Sequence, residues 1–259
     1  MSSIAVSRRG PAAAIVTIDR QARRNALDLA AWRDLAAAFR GLAEDRGVRV
    51  VVLTGVGGHF CAGADISEFA RARSDSASGA VYERTVEAAY AAIRALPQPS
   101  VAAIEGSCAG GGCAIALSCD FRVMRHGARF GIPAAKLGTI YTIGECHLLQ
   151  STIGLANAKR ILFGGELHDA GTAREMGFAD ALVDGDPVDA ALGFAAAMAA
   201  NAPLAIAGMK TILDELARGD IGKARPGIEQ RIREALDSAD YREGAAAFME
   251  KRPARFSGR

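Results

Sequence analysis

The feature that most limits the fold is residues 48–53, a run dominated by valine and closed by Thr54-Gly55. β-Branched side chains suit a pleated backbone, and a run without polar alternation needs apolar cover on both faces. That predicts a central strand of a largely parallel sheet flanked by helices, the α/β class. The neighbouring sequence supplies the other parts. Residues 4–7 and 14–19 are short β-type runs around the turn signal Arg8-Arg9-Gly10-Pro11, which predicts a hairpin. Asp28 is placed as an N-cap, and Trp32, Leu35, Ala36, Phe39 and Leu42 follow at helical spacing. Strands are expected over 101–104 and 121–124, with a helix opening at the glycine cluster 110–112 and running through Ser118. Further helices are expected over 144–153, 156–162 and 170–176, the last stopped by Gly177. From Pro187 the pattern is helical and alanine-rich, with breaks expected at Pro203, Gly219 and Pro226. Residues 1–185 therefore form an alternating core and 186–259 a helical region. Residues 71–78, poor in large apolar side chains, are expected as an exposed loop.

Composition narrows the function classes without naming one. The chain has 259 residues, 50% hydrophobic and 23% charged, which excludes wholesale disorder. Thirty-one Lys+Arg against 29 Asp+Glu leave a net charge of +2, so no nucleic-acid or membrane-surface partner is expected. No apolar stretch approaches the roughly 18 residues of a membrane span, and the N-terminal segment lacks a secretory h-region. The five cysteines contain no C-x-x-C, and no cluster has metal-ligand spacing, so neither a disulfide framework nor a metal is expected. The expected location is cytoplasmic.

Three glycine-rich segments bear on chemistry. Gly55-Val56-Gly57-Gly58-His59-Phe60 follows the central strand, but a dinucleotide fingerprint needs glycine where Phe60 stands. No G-K-[ST] follows any glycine cluster, which excludes a phosphate-binding P-loop. The second segment, His59-Phe60-Cys61-Ala62-Gly63-Ala64-Asp65-Ile66, crowds small residues around Gly63, so backbone N–H groups stay open to a ligand. The third, Gly106 to Ala114 with glycine at 110, 111 and 112, exposes N–H groups at the positive end of a helix. Either segment alone is equally a mark of tight packing. Two glycine-flanked amide donors together form machinery for a developing oxyanion.

The combination Arg24-Asn25-Ala26-Leu27, residues 60–66, the cluster 110–112 with Ser118-Cys119-Asp120, and Phe130-Gly131-Ile132-Pro133 followed by Leu137-Gly138 resembles the enoyl-CoA hydratase/isomerase (crotonase) superfamily. The tail at 244–252 is similar to the family's C-terminal helix. The resemblance runs in order over nearly the whole chain. It implies a spiral of β-β-α turns, a helical trimerisation region giving a homotrimer or dimer of trimers, and an acyl-CoA substrate with no separate cofactor. By motif position the thioester oxygen would lie between the N–H groups of Ala64 and Gly111. Coenzyme A contacts would fall on Arg24, Ala26, Ala62, Ala64, Asp65, Ile66 and Ser67, with Phe248 and Lys251 reaching the coenzyme A of a neighbouring subunit.

The sequence also departs from that family. Its hydratases carry a glutamate two residues after the last glycine of the cluster and another after the proline of Phe-Gly-x-Pro; here Ala114 and Ala134 occupy those positions. Alanine can neither activate water nor protonate the α-carbon. Tyr141 stands where the methylmalonyl-CoA decarboxylase branch carries an active-site tyrosine, and Glu145 and His147 open the following helix. The expectation is an enzyme that stabilises a thioester enolate as a decarboxylase, isomerase or lyase. The alternatives are a hydratase or isomerase using Glu145, and a non-catalytic acyl-CoA binder.

Overall fold

The structure is a computed structural model and describes residues 2–72, 74–219 and 221–259. The first hairpin pairs β1 (Ile4–Arg9) with β2 (Ala13–Ile18) antiparallel, Val6 opposite Val16. After α1 (Leu29–Glu44), β3 (Val50–Gly55) joins β2 in parallel, with Ile15 opposite Val52. α2 (Phe69–Ala72) and α3 (Ser76–Arg94) lead to β4 (Ser100–Ile104). Two β-β-α turns follow: β4, β5 (Ser107–Ala109) and α4 (Gly111–Ser118), then β6 (Phe121–Arg125), β7 (Arg129–Gly131) and α5 (Ile143–Gly164). β8 (His168–Asp169), α6 (Ala170–Glu175) and β9 (Ala181–Val183) complete the core. The last helices are α7 (Pro187–Ala200), α8 (Pro203–Arg218), α9 (Ile221–Leu236) and α10 (Ala239–Met249).

Each turn of the spiral contributes one strand to a six-stranded sheet, ordered β1-β2-β3-β4-β6-β9, and the next to a three-stranded sheet, β5-β7-β8. The chain is thus α/β with the spiral β-β-α architecture. β3 is buried on both faces, as its composition requires. Val51 and Leu53 pack with Trp32, Leu35 and Phe39 of α1 and with α3, whereas Val50 and Val52 pack with Ala191 and Ala195 of α7. α7 therefore belongs to the sheet layers although it follows the 184–186 turn, and among the described residues α8 to α10 contribute none to either core cluster. Among the described residues no single helix is long and apolar enough to cross a membrane.

Several local expectations hold in detail. Asp28 caps α1 by accepting from the Ala31 N–H at 2.8 Å. Helices over 144–153 and 156–162 form one element broken at Gly154, whose φ is 77°. Gly177, at φ 81°, follows α6.

Two expectations are corrected. The loop expected over 71–78 is short: Asp75 caps α3, accepting from the Ser78 N–H at 2.8 Å, so the helix is under way by Ser76. Residue 73 of that segment lies outside the described residues. Composition misled there because a solvent-facing first turn needs no apolar side chains. The break expected at Pro226 is absent, for α9 runs through it. Proline removes a donor and crowds the carbonyl four residues back, but that residue is Gly222, exposed to water that satisfies the oxygen. The short strands β5, β7, β8 and β9 were not expected, since three residues or fewer carry no readable period.

Candidate functional site

The site is built where three segments meet beside the start of α4. Cys61 bridges to Cys108 in parallel: the Cys61 N–H donates to Ser107 O and the Ala109 N–H to Cys61 O, both at 2.9 Å. Three residues on, Leu27 and Ala64 form a second parallel bridge. Here the Leu27 N–H donates to Gly63 O at 2.7 Å and the Asp65 N–H to Leu27 O at 2.9 Å. Because the flanks of Ala64 make that bridge, its own N–H points the other way. Gly110, at φ 53°, then starts α4, whose first N–H groups have no intrahelical acceptor. Among the described residues, neither the Ala64 N–H nor the Gly111 N–H donates to a protein acceptor.

Gly63 lets these two donors come together. Its φ is 95°, and a Cβ there would lie 2.7 Å from Ala109 O and 2.9 Å from the Gly111 nitrogen. The Cys61 thiol braces the same loop, accepting from the Gly63 N–H at 3.3 Å and donating to Asn25 O at 3.1 Å. Burial pushes this thiol up to about 12, so it stays protonated. Asn25 adds side-chain donations to Val56 O at 2.8 Å and His59 O at 2.6 Å.

The amide pair opens on a cavity of about 110 Å³. Its lining includes Ala62, Ala64 and Ile66, Gly110 and Gly111 at the start of α4, and Ala134, Tyr141 and Glu145. α1 adds Trp32, and α3 adds Tyr82, Glu83, Val86 and Tyr90. The only tryptophan and three of the four tyrosines therefore converge on one small cavity. That concentration marks a binding site more than a space filled at random. Ala114, by contrast, is fully buried and does not line it.

Glu145 has two ties. In a capping box, its Oε2 accepts from the Thr142 N–H and the Thr142 hydroxyl, each at 3.0 Å. Its Oε1 accepts from the Tyr90 hydroxyl at 3.3 Å. Burial raises its carboxyl above the usual carboxylate range, and the charge of Glu83 adds to the rise, against the lowering pull of the Thr142 and Tyr90 bonds. Tyr141 precedes α5, with its hydroxyl 3.7 Å from where a Cβ on Gly110 would sit. Burial pushes this phenol far above its usual value, so it keeps its proton. Its oxygen and Trp32 Nε1 are buried without a hydrogen-bond partner among the described residues.

The segments expected to hold coenzyme A lie side by side. The Ala62 N–H donates to Arg24 O at 3.0 Å, and Arg24 has a left-handed backbone, φ 50°. Ala26 is buried next to this contact. Asp65 accepts from the Ser67 N–H at 3.1 Å and the Ser67 hydroxyl at 2.6 Å, and pairs with Arg20 at 3.2 Å. Ser67, before the nearby charge of Arg20, is the largest cause of the lowered Asp65 carboxyl. Ile66 remains 56% exposed at the cavity edge. Among the described residues Phe248 and Lys251 do not line this cavity: Phe248 is 83% exposed over an apolar groove formed by α8, α9 and α10, and Lys251 follows α10. His147 faces a separate, larger cavity between α4, α5 and α8. The residues that sequence reasoning missed are Trp32, taken only as core, and the α3 set. The signal for the latter was Glu83, Val86 and Tyr90 at i, i+3 and i+7, one stripe of a helix.

Comparison with known proteins agrees over the full length. The family model for enoyl-CoA hydratase/isomerase matches residues 9–259. The enoyl-CoA hydratase/isomerase YngF of Bacillus subtilis (strain 168) is 32% identical over 247 residues, covering 95% of this chain and 94% of the relative. The 2,3-dehydroadipyl-CoA hydratase of Escherichia coli (strain K12) is 31% identical, with all of both chains covered. A solved enoyl-CoA hydratase/carnithine racemase from Magnetospirillum magneticum superposes with a TM-score of 0.93 at 36% identity, covering 100% of this chain and 97% of its own. With its spiral core and the paired amide donors beside α4, the chain belongs to the enoyl-CoA hydratase/isomerase family of acyl-CoA enzymes.

Proposed function

We propose that this enzyme converts an acyl-CoA thioester through an enolate held between the Ala64 and Gly111 N–H groups, with Glu145 moving the proton. The observation that carries this reading is the pair of amide donors, without a protein acceptor among the described residues, on one cavity whose lining includes the Glu145 carboxylate. Donors in place before reaction favour the charge that develops on the thioester oxygen. The reaction supported best is isomerisation of a 3-enoyl thioester. Ionised Glu145 takes a proton from the α-carbon, and the C–H electrons form the enolate. The electrons then return through the double bond, and protonated Glu145 delivers the proton at the γ-carbon. Bonds and charge balance, and one carboxylate suffices. The Tyr141 hydroxyl, protonated and without an acceptor among the described residues, is available to donate to the substrate.

A second reading, decarboxylation, is favoured by that same free hydroxyl, which could orient a substrate carboxylate. Loss of CO₂ would then produce the enolate without a base. Glu145 lines the same cavity, however, and a second negative charge beside it is unfavourable. Mass spectrometry of products from 2-enoyl, 3-enoyl and malonyl-type esters, for the wild type, Glu145→Gln and Tyr141→Phe, separates the readings. Isomer from the 3-enoyl ester that disappears in Glu145→Gln supports the first; CO₂ loss that survives Glu145→Gln and fails in Tyr141→Phe replaces it. Binding without any product identifies a non-catalytic acyl-CoA binder. Homotrimer assembly through the C-terminal helices belongs to the same proposal. It is supported by the exposure of Leu213, Leu216, Phe248 and Met249, and sedimentation velocity checks it.

A further inference from the structure

Tyr90 stands between the two halves of the proposed chemistry. Its hydroxyl donates to Glu145 Oε1 at 3.3 Å and has Gly111 O as a second acceptor at 3.5 Å. The same oxygen lies 3.2 Å from where a Cβ on Gly111 would sit. It therefore adjoins both the residue whose N–H is assigned to the thioester oxygen and the carboxylate that moves the proton. Packing holds the ring in place: Tyr90 is 1% exposed on α3 and meets Trp32 of α1 edge to face, 5.5 Å between ring centres.

A carboxylate offers about four acceptor positions, two on each oxygen. Glu145 Oε2 uses its own on the Thr142 N–H and the Thr142 hydroxyl, whereas Oε1 uses one on Tyr90. Among the described residues, the position left to accept a substrate proton is on Oε1. We propose that Tyr90 is a positioning residue of this site: its hydroxyl fixes the plane of the Glu145 carboxylate and makes Oε1 the atom that takes and returns the proton. The inference rests on the enolate reading above.

The second acceptor gives the hydroxyl two settings. With Glu145 ionised, the Tyr90 proton lies on Oε1. Once Oε1 carries the substrate proton, the hydroxyl turns to Gly111 O, and no bond at Tyr90 is made or broken. Burial holds the Tyr90 phenol well above its usual value, so it stays neutral throughout. Burial also raises the Glu145 carboxyl, and the Tyr90 bond opposes that rise by favouring the ionised form. Other groups around Glu145 remain when only the Tyr90 hydroxyl is removed. From α3, the charge of Glu83 adds to the rise, and Glu87 is tied to Arg94 at 2.6 Å. α4 carries only the Cys113 thiol as a titratable side chain. On the Glu145 side, Cys146 is a thiol raised by burial, Tyr141 keeps its proton, and His147 faces the separate cavity.

The test is Tyr90→Phe in the full-length protein, which keeps the ring and its contact with Trp32. Isomerisation of a 3-enoyl-CoA should lose about ten- to a hundredfold in kcat, with KM within about twofold. The acidic limb of its kcat/KM profile should move up by about one pH unit, because ionised Glu145 loses a donor. Carboxyl-labelled glutamate followed by ¹³C NMR should show the same rise of the Glu145 midpoint without turnover. A further measurement needs no variant: in the wild type, the ¹³Cζ resonance of labelled Tyr90 should shift with the Glu145 midpoint. An unchanged Glu145 midpoint in Tyr90→Phe, a Tyr90 signal indifferent to Glu145, or kcat within about twofold of the wild type overturns the inference. Absence of α-proton exchange with deuterium oxide in the wild type overturns the enolate reading instead, and the two NMR titrations still decide whether Tyr90 positions Glu145.

Discussion

Gly63 and Gly111 approach so closely that a Cβ on Gly63 would lie 2.9 Å from the Gly111 amide nitrogen, and 2.7 Å from the carbonyl oxygen of Ala109. Glycine also permits the φ of 95° found there. Gly63→Ala therefore carries both backbone strain, about 1–3 kcal/mol, and a collision with backbone that cannot rotate away. Expected is a lowered melting temperature and a turnover loss of at least about a hundredfold, as when an oxyanion donor is displaced. Full activity in this variant would show that the two amides do not act together.

Glu145 should trade stability for chemistry. Its carboxyl is raised in the folded protein, so the native state holds its proton over a pH range where the unfolded chain has released it. The associated stability is present below the ordinary carboxylate value, about 4.3, and is lost as pH rises through the raised folded value. Glu145→Gln removes that loss. Its melting temperature should exceed the wild type's near pH 8, and the advantage should shrink towards pH 4. Turnover should drop about 10²–10⁴-fold. Scanning calorimetry at several pH values checks the first half, and steady-state kinetics the second.

Tyr141→Phe removes one buried hydroxyl that lacks a hydrogen-bond partner among the described residues. With no hydrogen bond to break, the fold should lose almost nothing, within about 0.5 kcal/mol. If the hydroxyl donates to the reacting thioester, kcat falls about tenfold or more while KM stays within about twofold. Equal kcat in the two proteins would remove Tyr141 from the mechanism.

Asp240, buried in the first turn of α10, holds down the end of the chain. It accepts from the Ser257 N–H at 2.6 Å, the Ser257 hydroxyl at 3.2 Å and the Gly258 N–H at 2.8 Å. Asp240→Ala leaves those donors unpaired, at about 1–3 kcal/mol for the buried donors. Hydrogen exchange at residues 255–259 should quicken, with the amides of β3 and β4 unaffected. Uniform exchange across both regions would show that the tail and the core unfold as one unit.

Much of the architecture was legible because it depends on local chemistry. Valine at 48 and 50–52 required a strand covered on both faces, Asp28 required a helix start, and the glycines at 110–112 required a helix whose first amides stay open. The amide pair was legible through the resemblance of its flanking motifs. α3 was not, because its first turn faces water and its role comes from packing against α1. Pro226 was misread because tolerance of a proline depends on whether the carbonyl of Gly222 meets water, which is a property of the folded surface.

By itself the sequence determined which side chains exist at the site and which do not: no carboxylate at Ala114 or Ala134, open amides beside Gly63 and Gly110, a tyrosine at 141. Only the tertiary structure decided that Glu83, twenty residues after Gly63 and twenty-seven before Gly110, lines the same cavity as Glu145. The reason is physical. Helical spacing reports which face a residue occupies on its own element, whereas the meeting of side chains from two elements depends on how each is packed, and α3 is seated by apolar contacts such as Trp32 of α1 against Tyr90, 5.5 Å between ring centres.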